Sequence, residues 1–369
     1  MSNVKRETSI PVTFCFSNYT LHFYRKYILV NWSIQFNLNF IPSYLKLMQT
    51  GFLSQRAKAL TAMLADCDIC PKDCKVNRLE NKIAACYSGY KPVVSSYCVH
   101  YGEEPLLAGS KEEGNDNGVG NIFFGNCNLR CVYCQNYEIS QNHKTEIKNE
   151  VSVERLSEIM LELQDKKVNA IGFVSPTHFV PQIVSALEIA TGQGLNLPLV
   201  YNTNSYDSVE VIKLLDGIID IYLPDIKYSD DEYGYKYSKI KNYVHHSREA
   251  LLEMYRQTGS DLVIENGLLK RGLLVRHLIL PNDLAGSLDT LKFIASIDNK
   301  INLSIMSQYY PVHQALKIDL LSRNIREREY EKVLDYMEEL NLENGFLQEF
   351  DSENYYRPDF ADREKPFKG

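Results

Sequence analysis

Beyond residue 118 the chain alternates between short unbroken apolar runs and longer stretches of helical period. The runs at 119–124, 168–174, 198–201, 218–223, 273–280 and 301–305 read as strands buried on both faces. Between them, residues 153–163, 180–190, 209–215, 247–257 and 288–297 repeat apolar side chains at three- and four-residue intervals. Ser152 stands where an N-cap belongs, and Asp207 or Ser208 does so before Val209. Strands separated by helices need crossover connections, so the pattern predicts an α/β protein with a parallel sheet clothed in helices. Six such strands predict a partial barrel, open on one side; a doubly wound open sheet is the alternative.

The flanks read differently. Residues 27–44 carry no charge, but Asn31, Gln35, Asn37, Asn39 and Pro42 interrupt them, and a spanning helix would bury those amides in lipid. Residues 1–41 are therefore expected to be an N-terminal extension, with no role for Cys15 or the single Trp32. Residues 42–117 form a cysteine-rich lead-in that opens with a helical pattern through Leu45, Met48, Leu53, Ala57, Leu60 and Leu64. Residues 118–310 are the barrel, and 311–369 a C-terminal helical extension. Within the extension, a charged segment at 327–340 aligns Tyr330, Val333, Leu334, Met337 and Leu340 for packing. The glycine-rich stretch 114–120 precedes a strand instead of following one, so it reads as a turn and not a phosphate loop.

Composition narrows the function. Hydrophobic content of 44% and charged content of 24% exclude wholesale disorder. A net charge of −7 argues against a surface that coats nucleic acid. Eight of the nine cysteines fall between residues 67 and 134. The only signal-like stretch, 10–16, is short and lacks a small-residue cleavage site, so the cysteines point to cytoplasmic metal or redox chemistry instead of a secreted disulfide scaffold.

Cys127, Cys131 and Cys134 follow the first predicted barrel strand with C-x3-C-x2-C spacing. Structural zinc closes with four ligands, and the nearest further candidate is His143. Three thiolates suit a 4Fe–4S cube that leaves one iron free of protein ligands. Such an iron can bind a small molecule and pass it an electron, and the end of a barrel strand is where active sites sit. Upstream, Cys67, Cys70, Cys74 and Cys86 could close a zinc site or a second iron–sulfur cluster, or stay free thiols; Cys98 reads as a buried apolar side chain.

The cysteine loop, with Tyr133 before its last cysteine, resembles the signature of the radical S-adenosylmethionine (SAM) superfamily, and in particular its pyruvate formate-lyase-activating-enzyme-like proteins. The stretches 67–74, 102–105, 127–136, 175–178, 219–227, 272–281 and 306–309 carry the resemblance across residues 42–340. It implies a partial (β/α)6 barrel, a 4Fe–4S cluster on Cys127, Cys131 and Cys134, and SAM bound at the open iron. It further implies reductive cleavage of SAM to a 5′-deoxyadenosyl radical that abstracts hydrogen from a substrate. A reductant such as flavodoxin or ferredoxin is then required, and a glycyl radical enzyme, a peptide or a metabolite is the candidate substrate; neither nucleic acid nor membrane is a partner.

The resemblance also assigns candidate residues. Tyr133 takes the contact to adenine. Where many members carry Gly-Gly-Glu for the SAM ammonium, this chain has Ser175-Pro176-Thr177-His178, which makes Ser175 and Thr177 the candidates. Asn202 and Asn204 follow the third strand and are candidates for SAM, with Thr203 between them. His178, Asp225, Lys227 and Gln308 are candidates for a substrate pocket, with Tyr309 beside the last; a structural histidine and a structural ion pair are the alternatives for the first three. Glu103 and Glu104 precede the barrel, either facing substrate or exposed on a loop. Two other classes remain in the sequence: a zinc-stabilised binding module, and an electron carrier with every iron ligated.

Overall fold

The computed structural model describes residues 40–367 except 112, 351 and 353–356. Before residue 40 it describes only the backbone of Phe14–Phe16, Tyr19–Leu21, Tyr27–Leu29 and Ile34–Phe36. The expected extension at 1–41, with the side chains of Cys15 and Trp32, thus falls almost wholly outside the described residues.

Nine strands follow: β1 (Val94–His100), β2 (Val119–Phe124), β3 (Ile171–Val174), β4 (Leu199–Thr203), β5 (Ile221–Pro224), β6 (Leu262–Glu265), β7 (Leu268–Leu278), β8 (Asn302–Met306) and β9 (Gly345–Gln348). The sheet runs β1-β2-β3-β4-β5-β7-β8-β9, with every neighbouring pair from β2 to β9 parallel. β1 is antiparallel to β2. No pairing joins β1 to β9 among the described residues, so the barrel stays open, as the strand count implied. The outer layer is the helices Val153–Asp165, Val180–Gly192, Val209–Leu214, Tyr243–Thr258 and Ser287–Ile297. The lead-in helix Phe52–Ala62 packs against Val180–Gly192 through Leu53, Ala57 and Leu60.

Three elements escaped the pattern. β6 and β7 form a hairpin across Asn266-Gly267, both at positive φ (52° and 74°), as a primed two-residue turn demands. β9 adds a seventh parallel strand from the segment expected to be only helical, beyond the expected helix Glu327–Glu339. β1 breaks apolar continuity with Ser95 and Ser96, which hid it. One expected cap also differs: Ser152 Oγ accepts from the Arg155 N–H at 3.1 Å, whereas Ser208 makes no cap bond and Asp207 turns inward.

Alternation along the strands divides the core. Ile122, Phe124 and Phe173 face the outer helices. Val119, Ala170, Val200, Ile221, Leu274 and Phe346 face the lumen, where Leu106 and Leu107 of the short helix Pro105–Ala108 plug one end. Two positions further along, Asn121, Asn202, Arg276 and Gln348 make the next layer largely polar, and it forms the floor of the site.

His277 on β7 is fully buried, with Nδ1 against the Ile226 carbonyl (2.8 Å) and Nε2 against Ser287 Oγ (2.9 Å). Burial pushes its pKa down to about 4. Between pH 6.5 and 4 the unfolded chain therefore binds a proton that the folded chain refuses, and stability falls as pH drops through that window. The imidazole accounts for about 3 kcal/mol of that fall. Chemical denaturation at pH 7 and pH 5 should show His277→Gln losing less stability on acidification than the parent chain.

Candidate functional site

The cysteine loop leaves β2 through Gly125 and Asn126, the latter at φ 64°. A Cβ at position 125 would collide with Val93 and Ser95, so the close approach there requires glycine. The loop is tied down at Arg130, whose N–H donates to the Ser238 carbonyl (3.0 Å), and at Val132, whose N–H donates to that of Tyr237 (2.8 Å). Donors converge on its sulfurs. The Leu129 N–H points at Cys127 Sγ (3.4 Å), and the Asn204 amide stands 3.6 Å from the same atom. Ser238 Oγ lies 2.9 Å from Cys131 Sγ, and Ser140 Oγ 3.3 Å from Cys134 Sγ.

Burial pushes all three thiols up, Cys131 to about 12. An apolar pocket would need no N–H and O–H groups aimed at sulfur; a cluster of iron and sulfide does, because such donors stabilise its negative charge. The donor set therefore fits a 4Fe–4S cluster. Among the described residues no three His, Cys, Asp or Glu side chains stand gathered as a site for one metal ion.

A cavity with about 610 Å³ of empty space, open solvent at its mouth included, lies beside the loop. Gln135 and Asn136 border it from the cysteine loop, and Val174, Asn202, Met306 and Gln348 from the strand ends. Its floor is the polar lumen layer. Arg276 Nε donates to Glu104 Oε1 (2.8 Å), its Nη2 reaches both Glu103 and Glu104, and Asn121 Nδ2 donates to Glu103 Oε1 (2.6 Å). Burial pushes the Glu103 carboxyl up, but Arg276 and His100 outweigh it and hold it at about 2. Phe367 closes one side, against His100 (4.0 Å between rings) and Phe123 (5.7 Å).

The predicted residues divide. Asn202 and Gln308 line the cavity, and Gln308 Oε1 accepts from Gln348 Nε2 at 3.0 Å. Ser175, at φ 54°, turns the chain at the end of β3 and donates its N–H to the Asn202 carbonyl (2.9 Å). Thr177 is buried, and its hydroxyl donates to Asp207 Oδ1 (2.7 Å), which also accepts from Tyr201; Thr203 donates to the other oxygen. Burial raises the Asp207 pKa, and the three hydroxyls oppose that. Thr177 thus holds the loop, with its hydroxyl committed.

His178 does not line the cavity. It is buried, with Nε2 2.9 Å from the Gly125 carbonyl, and burial pushes its pKa down to about 3. Asn204 supports the cysteine loop, donating to Asn128 Oδ1 (2.8 Å) as well as facing Cys127. The Tyr133 ring packs edge-on against Tyr228 (6.4 Å) and Tyr309 (6.0 Å) within the core. Asp225 and Lys227 pair at 2.8 Å, the structural alternative, and Lys227 lies within electrostatic range of Cys131. Glu104 is buried and Glu103 half-buried, both turned inward to Arg276, against the usual behaviour of loop glutamates. Arg276, Gln348 and Asp207 were missed; an arginine and a histidine in the middle of an apolar run were the available signal.

The radical SAM superfamily model matches residues 121–269, from β2 through the cysteine loop to β7. The uncharacterized protein MJ0674 of Methanocaldococcus jannaschii is 30% identical over 320 residues, covering 83% of this chain and 84% of that protein. The chain belongs to the radical SAM superfamily. A second uncharacterized protein of that organism, MJ0808, is 27% identical over 175 residues, 45% of this chain and 50% of its own. The crystal structure of HydG, a maturase of FeFe-hydrogenase, is similar at 12% identity with a TM-score of 0.41; the match spans 82% of this chain and 65% of HydG. Membership makes the protein an enzyme and implies a 4Fe–4S cluster, SAM and a reductant. No helix among the described residues is long and apolar enough to cross a membrane.

Removing one partner of the floor strands the others in a buried site. Arg276→Met should lower unfolding stability by about 3–5 kcal/mol in denaturant titrations. Combining it with Glu103→Gln and Glu104→Gln should restore a substantial part of the loss, because no carboxylate is then left unpaired.

Proposed function

We propose that the enzyme binds SAM beside Cys127, Cys131 and Cys134 and directs the resulting radical at a small polar substrate in the cavity, acting in the cytoplasm with flavodoxin or ferredoxin as reductant. The observation that carries this reading is the position of the three-cysteine loop, at the C-terminal end of β2 and at the rim of a cavity with a charged floor. Held by Cys127, Cys131 and Cys134, a 4Fe–4S cluster would supply the one electron needed for reductive cleavage of SAM to methionine and a 5′-deoxyadenosyl radical. The chain's own residues bind and orient. Asn202 and Gln308 offer amides to SAM or substrate, and the backbone turn at Ser175 brings carbonyls to the same rim. Glu103, ionised because Arg276 faces it, offers an acceptor to a cationic or hydroxylated substrate. Phe123 and Phe367 exclude water from one wall, which protects a reactive intermediate.

A second reading, formation of a glycyl radical on a partner protein, draws support from the stretches resembling activating enzymes. Its weakness is the Phe367 side of the cavity, which leaves less room for an inserted loop than an open mouth does.

Anaerobically reconstituted protein should be brown and should release 5′-deoxyadenosine from SAM under dithionite. Cys127→Ala, Cys131→Ala and Cys134→Ala together should abolish that release; persistence would overturn the assignment. With deuterated cell extract, label should enter 5′-deoxyadenosine from the small-molecule fraction. Entry only from the protein fraction would favour the second reading.

A further inference from the structure

Arg78 is completely buried, yet no carboxylate pairs with it among the described residues. Its Nε donates to the Gly89 carbonyl (2.9 Å) and its Nη1 to that of His178 (2.8 Å), while Nη2 has no acceptor at all. A guanidinium is a permanent cation, and burying one without an anion is strongly unfavourable. The nearest group able to become anionic is Cys67, whose Sγ lies 4.0 Å from Nη1.

Cys67 is not alone. Its thiol is within electrostatic range of Cys86, and Cys70 is within range of Cys67, Cys74 and Cys86. All four are free of disulfides. The turn that carries them is wound tightly, with Asp73 and Lys75 at positive φ, and with the Cys67 N–H donating to the Val76 carbonyl (3.0 Å) and the Lys75 N–H to that of Cys67 (3.1 Å). Within it the backbone amides of Ile69 and Lys72, each two residues after the cysteine, favour the thiolates of Cys67 and Cys70. The Leu129 N–H stands at the same offset from Cys127, 3.4 Å from its Sγ.

We propose that Cys67, Cys70, Cys74 and Cys86 hold a second metal centre of four thiolates, with Arg78 as its counter-cation. Zinc and an iron–sulfur cluster share the relevant chemistry: with four thiolates either carries net negative charge, and binding releases the four thiol protons to solvent. The thiols are neighbours without being gathered as a single-ion site, so they draw in when the metal arrives. Through the His178 carbonyl, Arg78 ties this centre to the loop after β3, and Lys72 lies within range of Cys70, Cys74 and Cys127 alike. The lead-in therefore buttresses the SAM-site loop.

The test avoids catalysis and so does not depend on the proposed function. In a chain carrying Cys127→Ala, Cys131→Ala and Cys134→Ala, zinc, iron and sulfide are measured after anaerobic purification and after reconstitution with zinc alone or with iron and sulfide. Near-stoichiometric zinc identifies a zinc centre, and iron with sulfide identifies a cluster; either supports the proposal. Absence of both, or retention undiminished when Cys70→Ala and Cys74→Ala are added, overturns it. Within the same background Arg78→Gln should weaken metal retention against a chelator by about tenfold, and Arg78→Lys should restore much of it. Equal retention in all three chains overturns the counter-cation role.

Discussion

A guanidinium enclosed inside a parallel sheet has to be met by anions, and Arg276 is met by two. Both carboxylates come from the lead-in, on the loop between β1 and the plug helix Pro105–Ala108. That interaction joins the lead-in to the barrel, alongside the β1–β2 ladder and the packing of the helix Phe52–Ala62. It sits between the β1–β2 ladder and the Leu106–Leu107 plug, and its charged groups line the cavity. The ionised Glu103 on that floor follows from the same pairing, since burial alone would favour the neutral acid.

The cysteine loop obeys a different constraint. Its sulfurs are buried, so in the absence of iron they favour the thiol, yet polar donors from separate parts of the chain stand around them. Asn204 comes from beyond β4, Ser238 from the end of the helix Asp231–Ser238, and Ser140 from just after the loop itself. Three of the polar residues that the sequence suggested for binding SAM or substrate turn out to hold this apparatus in place. Asn204 faces sulfur, Thr177 is committed to Asp207, and His178 braces the carbonyl of Gly125. The end of a barrel strand is thus shared between groups that face a ligand and groups that hold the loops which do.

The two cysteine groups sit on either side of this arrangement. One lies on the barrel, the other on the lead-in, and a buried arginine from the lead-in reaches the carbonyl of His178.

Long apolar runs and helical periods determined the α/β class, the six parallel strands and the outer helices, because continuous burial on both faces leaves a signal in consecutive residues. Cysteine spacing marked the candidate cluster loop for a similar reason: Cys127, Cys131 and Cys134 lie within eight residues of one another. The hairpin at Asn266-Gly267 was also written locally and was overlooked, whereas β9 is only four residues long and is stabilised by β8, more than forty positions away. Tertiary structure alone decided which polar residues face the cavity. A side chain's alternation along a strand says which face it takes, but not whether Asp207, Arg78 or Glu104 meets its partner there. Those pairings range from four residues, Thr203 to Asp207, to 172, Glu104 to Arg276, and only folding settles which are made.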